Sequence, residues 1–395
     1  MADRRNLKMA RSAHAYIRGN TSRFYDWLDV ADKFHLPEGP PIWICGDCHV
    51  SNLGPIAGAD GQIAIHVRDF DQTVIGNPAH DLIRLSLSLA SAARGSDLPG
   101  VTTAMMLEQL TAGYSDALEG NEARDKAGSA RPDVARLTMK EALGRSWKDL
   151  ARERIENSKP NIPLGKRFWP LSREEKREIE ALFGTEEARR LATCLRGRAD
   201  DAEVQLLDAA FWVKGCSSLG RLRYAALLRV DGSLGREGLC LMDIKEAVQA
   251  APPRSAEAVL PRSNADRVVE GARHITPSLG KRMSGARLLG RSVFLRELLP
   301  EDLMIEIDRI SRNEAMKIAH FLAAIVGRSH ARQLDDSTRR SWRRELGRGH
   351  SKRLDAPSWL WSSVVALLAD HEAGYLEHCR KHAMEAGALR TQRIE

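Results

Sequence analysis

The chain has 395 residues and a formal net charge of +7, with 43% hydrophobic and 29% charged residues. This length allows two or three domains with a substantial core, and the composition is typical of a globular protein. No apolar run approaches the ~20 residues that cross a bilayer, which argues against a membrane protein. Aromatic residues make up 5% of the chain and form no basic-aromatic repeat, so the sequence disfavours nucleic acid as a partner despite the pI near 9.2.

The cysteines and the N-terminus indicate a cellular compartment. Six cysteines are scattered along the chain without a regular framework, and the charged N-terminus carries no apolar signal segment. We therefore expect a reducing, cytoplasmic location without a disulfide scaffold.

The first hundred residues alternate between helical and extended patterns. Apolar residues at helical spacing predict one or two amphipathic helices over residues 7–34, broken at Gly19-Asn20. A strand is predicted over residues 42–44, and two short strands over 53–56 and 62–67 would form a hairpin. Residues 81–93 and 101–118 predict helices. Asp81 could cap the first of them and hydrogen-bond back to the loop after residue 44.

That loop carries the most informative motif. Residues 44–52 read Ile-Cys-Gly-Asp-Cys-His-Val-Ser-Asn, and Asp69-Phe70-Asp71 follows the predicted hairpin. An Asp, an Asn five residues later and then Asp-Phe-Asp is the spacing with which phosphotransferases hold a catalytic base and metal ligands. Asp47 would orient or accept the proton of an attacking hydroxyl. Asn52 and Asp69 would bind Mg²⁺ on a nucleotide's phosphates, and Asp71 could contact a second metal or support the first.

A second pattern overlies this motif, because Cys45 to His49 also match the C-x-x-C-H pattern of covalent haem attachment. Such attachment takes place outside the cytoplasm, which the N-terminus disfavours. A thioredoxin-like redox pair would require a surrounding βαβ pattern that the sequence lacks. We interpret Cys45 and Cys48 as small residues that flank the loop.

The second half of the chain begins with helical, charge-rich segments and then changes to strands. Residues 120–200 indicate solvated helices, interrupted at 159–170 by a proline-rich loop that either faces a substrate or simply packs. Strands are predicted over residues 206–213, 221–230, 239–245 and 292–299, and helices over 264–274 and 313–333.

The first two of these strands flank a segment of small residues that could approach phosphates closely: Gly215, Ser217, Ser218 and Gly220. Lys245, at the end of the third strand, would grip the α- and β-phosphates of a nucleotide. Glu270 in the following helix is a candidate for the carboxylate that orients Lys245. The alternative is that Glu270 is a surface residue of its helix.

These motifs together resemble the catalytic segment of the aminoglycoside phosphotransferases, a branch of the protein-kinase-like superfamily. The matching positions are Gly46-Asp47-x-His49-x-x-Asn52, Asp69-Phe70-Asp71 and Pro78-x-x-Asp81-Leu82. Over most of its length the chain is also similar to an uncharacterised bacterial family of unknown function, DUF 2252. That likeness rests on Tyr16-x-Arg18-Gly19, the catalytic segment, residues 215–224, Ile244-Lys245-Glu246-Ala247 and Ser329-His330-Ala331-Arg332.

The resemblance implies a two-lobed α+β fold with its parts in a changed order. In ordinary kinases the glycine loop and lysine precede the catalytic loop, whereas here they follow it. We therefore predict a circularly permuted protein-kinase-like fold, since permutation between surface termini is physically cheap. Residues 1–202 would form a helical large lobe, 203–300 a small antiparallel β lobe that binds the nucleotide, and 301–395 helices that return to the large lobe.

Three features depart from the family pattern. Ser217 stands where a middle glycine is typical, Cys45 stands where a histidine often precedes Gly-Asp, and the interval from Asn52 to Asp69 is longer than usual. None removes an essential charge. We expect an enzyme that uses ATP and Mg²⁺ to phosphorylate a hydroxyl of a small-molecule acceptor. The alternatives are a catalytically inactive nucleotide-binding regulator and a nucleotidyl (AMP) transferase. The sequence identifies neither the acceptor nor a protein partner.

Overall fold

The structure is a computed structural model and has a mixed α+β architecture with antiparallel sheets. It describes residues 2–30, 36–120, 131–154, 161–195, 197–214, 220–231, 238–307, 310–348, 350–351 and 354–391. Within these ranges no helix is both long enough and apolar enough to cross a bilayer.

Helices and strands are numbered in chain order. The helices are α1 (Ala2–Met9), α2 (Ala13–Gly19), α3 (Thr21–Asp29), α4 (Ala79–Gly95), α5 (Gly100–Leu118), α6 (Asp133–Gly144), α7 (Trp147–Arg154), α8 (Arg173–Phe183), α9 (Glu186–Thr193), α10 (Asn264–Ile275), α11 (Pro277–Gly280), α12 (Arg312–Ala331), α13 (Asp336–Leu346) and α14 (Ser358–Thr391). The strands are β1 (Ile42–Ile44), β2 (Leu53–Ala57), β3 (Ile63–Val67), β4 (Val74–Gly76), β5 (Phe168–Trp169), β6 (Val204–Trp212), β7 (Arg223–Val230), β8 (Leu239–Glu246), β9 (Met283–Leu288), β10 (Arg291–Glu297), β11 (His350–Ser351) and β12 (Leu354–Pro357).

The largest sheet is antiparallel and has the strand order β5-β6-β7-β8-β10-β9. Side chains alternate between its two faces, so Met242 and Ile244 pack on one face and Leu241 on the other. Lys245, on the same face as Leu241, pairs across the ladders with Arg223 on β7 and with Phe294 on β10. The end of β8 therefore places Lys245 beside Arg223, on the face that carries the buried apolar side chain of Leu241.

The segment before residue 203 contributes to this sheet as well. Phe168 and Trp169, interpreted from the sequence as part of a loop, form β5 and stack on Trp212 and Phe211 of β6. Helices α8 and α9 cover one face of the sheet with their apolar stripe. These residues thus belong with the strands in packing and not with the helices of residues 1–120.

The other part of the structure is a helical core around α4, whose side chains are buried on nearly all sides from Ala79 to Ala93. Helix α12 packs against α5 and α4. Close approach of α12 and α5 requires glycine at Gly327, because a Cβ there would lie 2.8 Å from the Cβ of Ala117. Gln333, just after α12, exchanges hydrogen bonds with the backbone of Trp43 in β1 (2.9 and 3.0 Å). The late helix thereby lies next to the strand that leads into residues 45–52.

The predicted hairpin is present and fixes the loops that follow it. Strands β2 and β3 pair antiparallel from Leu53 opposite Val67 to Ala57 opposite Ile63. The turn between them uses Gly61 in the left-handed region (φ +82°), which glycine adopts without steric cost. Strand β1 pairs with β4 and not with the hairpin, and Ile44 lies opposite Val74. Residues 45–52, which follow β1, and residues 68–73, which precede β4, therefore adjoin the same end of this small sheet.

Candidate active site

The loop that carries Asp47 is held by the buried carboxylate of Asp81. Asp81 lies within the first turn of α4, and Pro78 occupies the cap position. Its two carboxylate oxygens accept hydrogen bonds from the backbone N–H groups of Cys45 (2.8 Å) and Gly46 (2.9 Å). Such bonds to an ionised acceptor are among the stronger ones in proteins. The backbone just before Asp47 is therefore fixed.

A chain of buried side chains supports Asp81 from behind. His330 of α12 places Nε2 3.2 Å from Asp81 Oδ2 and Nδ1 2.8 Å from the Tyr114 hydroxyl. The same hydroxyl accepts a hydrogen bond from Trp342 Nε1 at 3.1 Å. With the proton on His330 Nε2, every donor in the chain meets an acceptor, which assigns the tautomer from the network. Helices α5, α12 and α13 thus help to position the loop.

Both carboxylate oxygens of Asp47 have partners. Oδ1 accepts a hydrogen bond from Arg84 Nε at 2.8 Å, and Oδ2 accepts one from the Thr21 hydroxyl at 2.9 Å. The Arg84 side chain is fully buried and also donates to the backbone oxygen of Ile17 (2.7 Å). The Asp47 side chain is 15% exposed. The carboxylate is therefore held in one orientation while it stays accessible to solvent.

His49 lies beside the same carboxylate, with Nε2 3.8 Å from Asp47 Oδ2. Burial lowers the pKa of His49 to about 3, against the effect of the Asp47 charge. The imidazole is therefore uncharged at neutral pH and too weakly basic to act as a general base. It packs under the loop as an uncharged group.

The hairpin brings Asn52 and Asp69 to the same place. Leu53 pairs with Val67, and the Arg68 backbone N–H donates to the Asn52 carbonyl at 2.9 Å. The Asn52 side-chain amide also donates through Nδ2 to the Asp47 carbonyl at 2.9 Å. Because Nδ2 is used in this way, Oδ1 is the atom of Asn52 that can serve as a ligand.

Lys245 contacts both carboxylates of the segment that follows the hairpin. Its Nζ lies 3.7 Å from Asp69 Oδ1 and forms a closer ion pair with Asp71 Oδ2. Lys245 is 6% exposed, and its ammonium lies 6.0 Å from the centre of the Phe294 ring. The structure thus brings three residues that the sequence singled out, Lys245, Asp69 and Asp71, into direct contact.

The two carboxylates differ in their protonation. Burial and the neighbouring charge of Asp69 raise the pKa of Asp71 to about 6, although Lys245 acts in the opposite direction. Partial desolvation acts to raise the pKa of Asp69 too, but the charges of Lys245 and Arg296 hold it below its ordinary value. The Asp69 side chain is also the more open, 44% exposed against 13% for Asp71. Asp69 is therefore ionised throughout the neutral range, whereas Asp71 changes its protonation state near pH 6, just below neutrality.

Two arginines hold the surroundings of Lys245 in place. Arg223 makes a bidentate ion pair with Asp243, with distances of 2.9 and 2.5 Å, and both side chains are buried. Arg267 of α10 donates to the backbone oxygens of Asp71 (3.0 Å) and Val248 (2.8 Å). Burial lowers the pKa of Arg267 to about 10, so it stays charged at neutral pH. Arg267 thereby ties the segment around Asp71 to the chain that leaves β8.

Glu270, the candidate partner of Lys245, has other contacts. Its carboxylate lies 3.3 Å from Arg273 and 3.5 Å from His274 on its own helix. The Glu270 side chain is 36% exposed, and Lys245 is paired with residues 69–71. The structure does not bring Glu270 and Lys245 together. Glu270 lies at the surface of its helix, as the alternative interpretation had it.

The segment expected to contact phosphates is described only at its end. Gly215, Ser217 and Ser218 lie outside the described residues. Gly220 is described and has a φ of +95°, a conformation that favours glycine. It lies shortly before Arg223, the cross-strand neighbour of Lys245, and so belongs to the same end of the sheet.

The oxygen atoms around residues 69–71 fit a magnesium ion. Asp71 Oδ1 is buried and has no hydrogen-bond partner among the described residues. Asp69, and Asn52 beside it at the hairpin end, add a carboxylate and an amide oxygen. Neither here nor elsewhere in the described part of the chain do three His, Cys, Asp or Glu side chains form a group suited to a metal. Mg²⁺ is commonly held by one or two carboxylates and takes its other ligands from water and phosphates, which this donor set allows.

Cys45 and Cys48 are free thiols, 1% and 0% exposed. A hydrogen bond with Cys48 and burial raise the pKa of the Cys45 thiol well above its ordinary value. Covalent haem attachment requires accessible thiols, so this burial disfavours it. The structure agrees with the interpretation of Cys45 and Cys48 as small residues that flank the loop.

Among the residues of the site that were not singled out in the sequence are Thr21, Arg84 and Arg267. Arg84 interrupts a run of Leu, Ser and Ala, and Arg267 precedes two valines. A cation in an apolar helix face must be paired when it is buried, so both carried a signal, although no pattern indicated their partners. Thr21 opens an ordinary amphipathic helix and carried none.

Comparison with known proteins gives a family and no function. A family model described as "Uncharacterized protein conserved in bacteria (DUF2252)" matches residues 1–381. No curated protein and no solved structure matches the chain.

Proposed function

This chain belongs to the bacterial family DUF2252, whose description states no activity, and we propose that it is a phosphotransferase that uses ATP and Mg²⁺ to phosphorylate a hydroxyl. The observation that carries the proposal is the contact of Lys245 with Asp69 and Asp71, at the end of the hairpin that also carries Asn52. A buried lysine paired with a metal-type carboxylate, beside a fixed and accessible aspartate, is the set of groups that phosphoryl transfer requires.

Each residue has a role that follows from its contacts. Lys245 would exchange its ion pair with Asp71 for the nucleotide's phosphates, and the backbone near Gly220 would lie beside them. Asp69, Asp71 and Asn52 would hold Mg²⁺, which when bound supplies positive charge to the phosphates.

Asp47 would orient the acceptor hydroxyl and take its proton. The pairing of Asp47 with Arg84 fixes the carboxylate in advance, so that little reorganisation is needed when the acceptor binds.

We also propose that the fold is a protein-kinase-like one with a permuted chain order. The support is that a sheet bearing the lysine follows the catalytic loop in the chain, and that His330 of α12 contacts Asp81, the residue that holds that loop. A small-molecule acceptor is favoured by the motif resemblance to aminoglycoside phosphotransferases. This is an argument by analogy from a site to a substrate class.

The test is an analysis of products. The protein is incubated with ATP, Mg²⁺ and a panel of small hydroxylated compounds, and the nucleotide product and the mass gained by the acceptor are measured. We expect ADP and one added phosphate. The variant Asp47→Asn should lose at least ~100-fold in turnover, since a positioned general base contributes about that much. The matched variant Asp133→Asn, on the exposed first turn of α6, should retain wild-type turnover.

Other outcomes would identify the alternatives. An acceptor that gains AMP, with pyrophosphate released, would indicate a nucleotidyl transferase. Binding of ATP without any product in the whole panel would favour a regulatory protein that only binds the nucleotide.

A further inference from the structure

The chain itself supplies a hydroxyl at the proposed catalytic base. Thr21 Oγ1 donates a hydrogen bond to Asp47 Oδ2 at 2.9 Å. A general base must lie about 2.6–3.2 Å from the oxygen whose proton it takes. The Thr21 hydroxyl lies within this distance of Asp47, as the hydroxyl of a bound acceptor would have to. Arg84 occupies the other carboxylate oxygen, which leaves Oδ2 as the one that receives a hydroxyl.

We propose that Thr21 is an intramolecular phosphoryl acceptor, that is, a self-modification site of this protein. The inference rests on the proposed function, because it takes the same nucleotide and the same base. It goes further in naming one residue of the chain as a substrate.

The transfer balances as a simple displacement on a nucleoside triphosphate. The Thr21 oxygen forms a bond to the γ-phosphorus, and the bond from that phosphorus to the β,γ-bridging oxygen breaks. The electron pair leaves with the nucleoside diphosphate, and the threonine proton passes to Asp47 Oδ2 and then to solvent. No oxidant or further co-reactant is needed.

The local structure suits the product. Thr21 is the first residue of α3, and the preceding Asn20 makes no side-chain hydrogen bond to the first turn of that helix. A phosphate at this end lies near the backbone N–H groups of the first turn and at the positive end of the helix dipole. The charges of Arg84 and Arg18 also reach this region, where both oppose protonation of His49.

The product would also limit the reaction to one event. A phosphate on Thr21 carries two negative charges near neutral pH and can no longer donate to Asp47, which it repels. The two groups must separate, and the phosphothreonine would then block the place at which another acceptor presents its hydroxyl. Self-phosphorylation would therefore lower transfer to a small-molecule acceptor.

The experiment measures phosphate on the protein. Intact mass and fragment mapping are recorded for the protein as purified and after incubation with ATP and Mg²⁺, without any other acceptor. The variants are Thr21→Val, which removes the hydroxyl, Thr21→Ser, which keeps it, and Ser22→Ala, which removes the neighbouring exposed hydroxyl. Binding of the nucleotide is measured by calorimetry for every variant.

We expect one phosphate per chain, mapped to Thr21, in wild type, Thr21→Ser (on the serine) and Ser22→Ala, and none in Thr21→Val. The rate constant should not depend on protein concentration, because the contact is within one chain. A rate constant that rises with protein concentration would overturn the intramolecular assignment.

The remaining outcomes separate this inference from the proposed function. Phosphate at other positions, or ATP binding and transfer to a small molecule with Thr21 unmodified, would overturn the inference and leave the function standing; Thr21 would then be a residue that only positions Asp47. Absence of nucleotide binding to folded wild type would overturn both.

Discussion

Removal of the Asp81 carboxylate should lower the free energy of unfolding more than a substitution of an exposed residue does. The carboxylate is 1% exposed and accepts hydrogen bonds from the backbone of Cys45 and Gly46 and from His330 Nε2. In Asp81→Ala all three donors lose their acceptor in a region that water does not reach. Hydrogen bonds to a charged group contribute about 1.5–3 kcal/mol each, so the two backbone bonds alone amount to about 3–6 kcal/mol before relaxation.

We expect Asp81→Ala to lower the free energy of unfolding by about 3–5 kcal/mol, because the loop relaxes in part. Asp81→Asn keeps one acceptor oxygen and loses the charge, so its cost should be about half of that. The assay is urea denaturation monitored by circular dichroism and by tryptophan fluorescence. The slope of the unfolding free energy against urea concentration should be equal in all variants.

Asp133→Asn is the matched control, since Asp133 also lies in the first turn of a helix but is exposed, with Arg136 as its partner. It should keep the wild-type midpoint. An Asp81→Ala midpoint that equals that of Asp133→Asn, with an unchanged slope, would refute the assignment of Asp81 as the group that holds the loop.

Further predictions concern the charges around the site. Because Asp71 must be ionised to bind a metal and its pKa is raised to about 6, the affinity for ATP with Mg²⁺ should fall by up to about tenfold per pH unit below that value. Asp71→Asn should remove this part of the pH dependence, and titration calorimetry at several pH values between about pH 5 and pH 8 measures it. Arg223→Met should destabilise the protein by about 3–5 kcal/mol in urea denaturation, because it leaves Asp243 buried without a partner; a cost below about 1 kcal/mol would contradict that pairing. Arg84→Met should lower turnover at least about tenfold with unchanged nucleotide affinity, since it releases Asp47 and no nucleotide contact; equal losses in both would contradict a role confined to Asp47.

Local sequence patterns were sufficient for the elements that carry the motifs. The strands around residues 53–67 alternate and are joined by a glycine-containing turn, and α4 is apolar on nearly every side, so both could be predicted. Strands β6, β7, β8 and β10 also lie where the alternation indicated. In each case the signal and the structure involve the same short stretch of chain.

The pairings across the chain could not be predicted in this way. Lys245 meets residues 69–71, whereas Glu270 pairs with Arg273 and His274 on its own helix. Which carboxylate the lysine meets depends on the packing of segments that are distant in the chain, and no local pattern encodes that packing. β5 has only two residues and cannot show alternation. In α8 the charged residues outnumber the apolar ones, so the sequence does not indicate which face of the helix packs on the sheet.

The most direct test of the proposed nucleotide site is a calorimetric titration of ATP into the protein with and without Mg²⁺. Wild type is compared with Asp69→Ala and Lys245→Met, and with Lys281→Met, an exposed lysine that ends α11, as the matched control. The account predicts binding that depends on Mg²⁺ in wild type and Lys281→Met and is lost in the other two. Absence of binding to folded wild type, or equal binding in all four proteins, would contradict it.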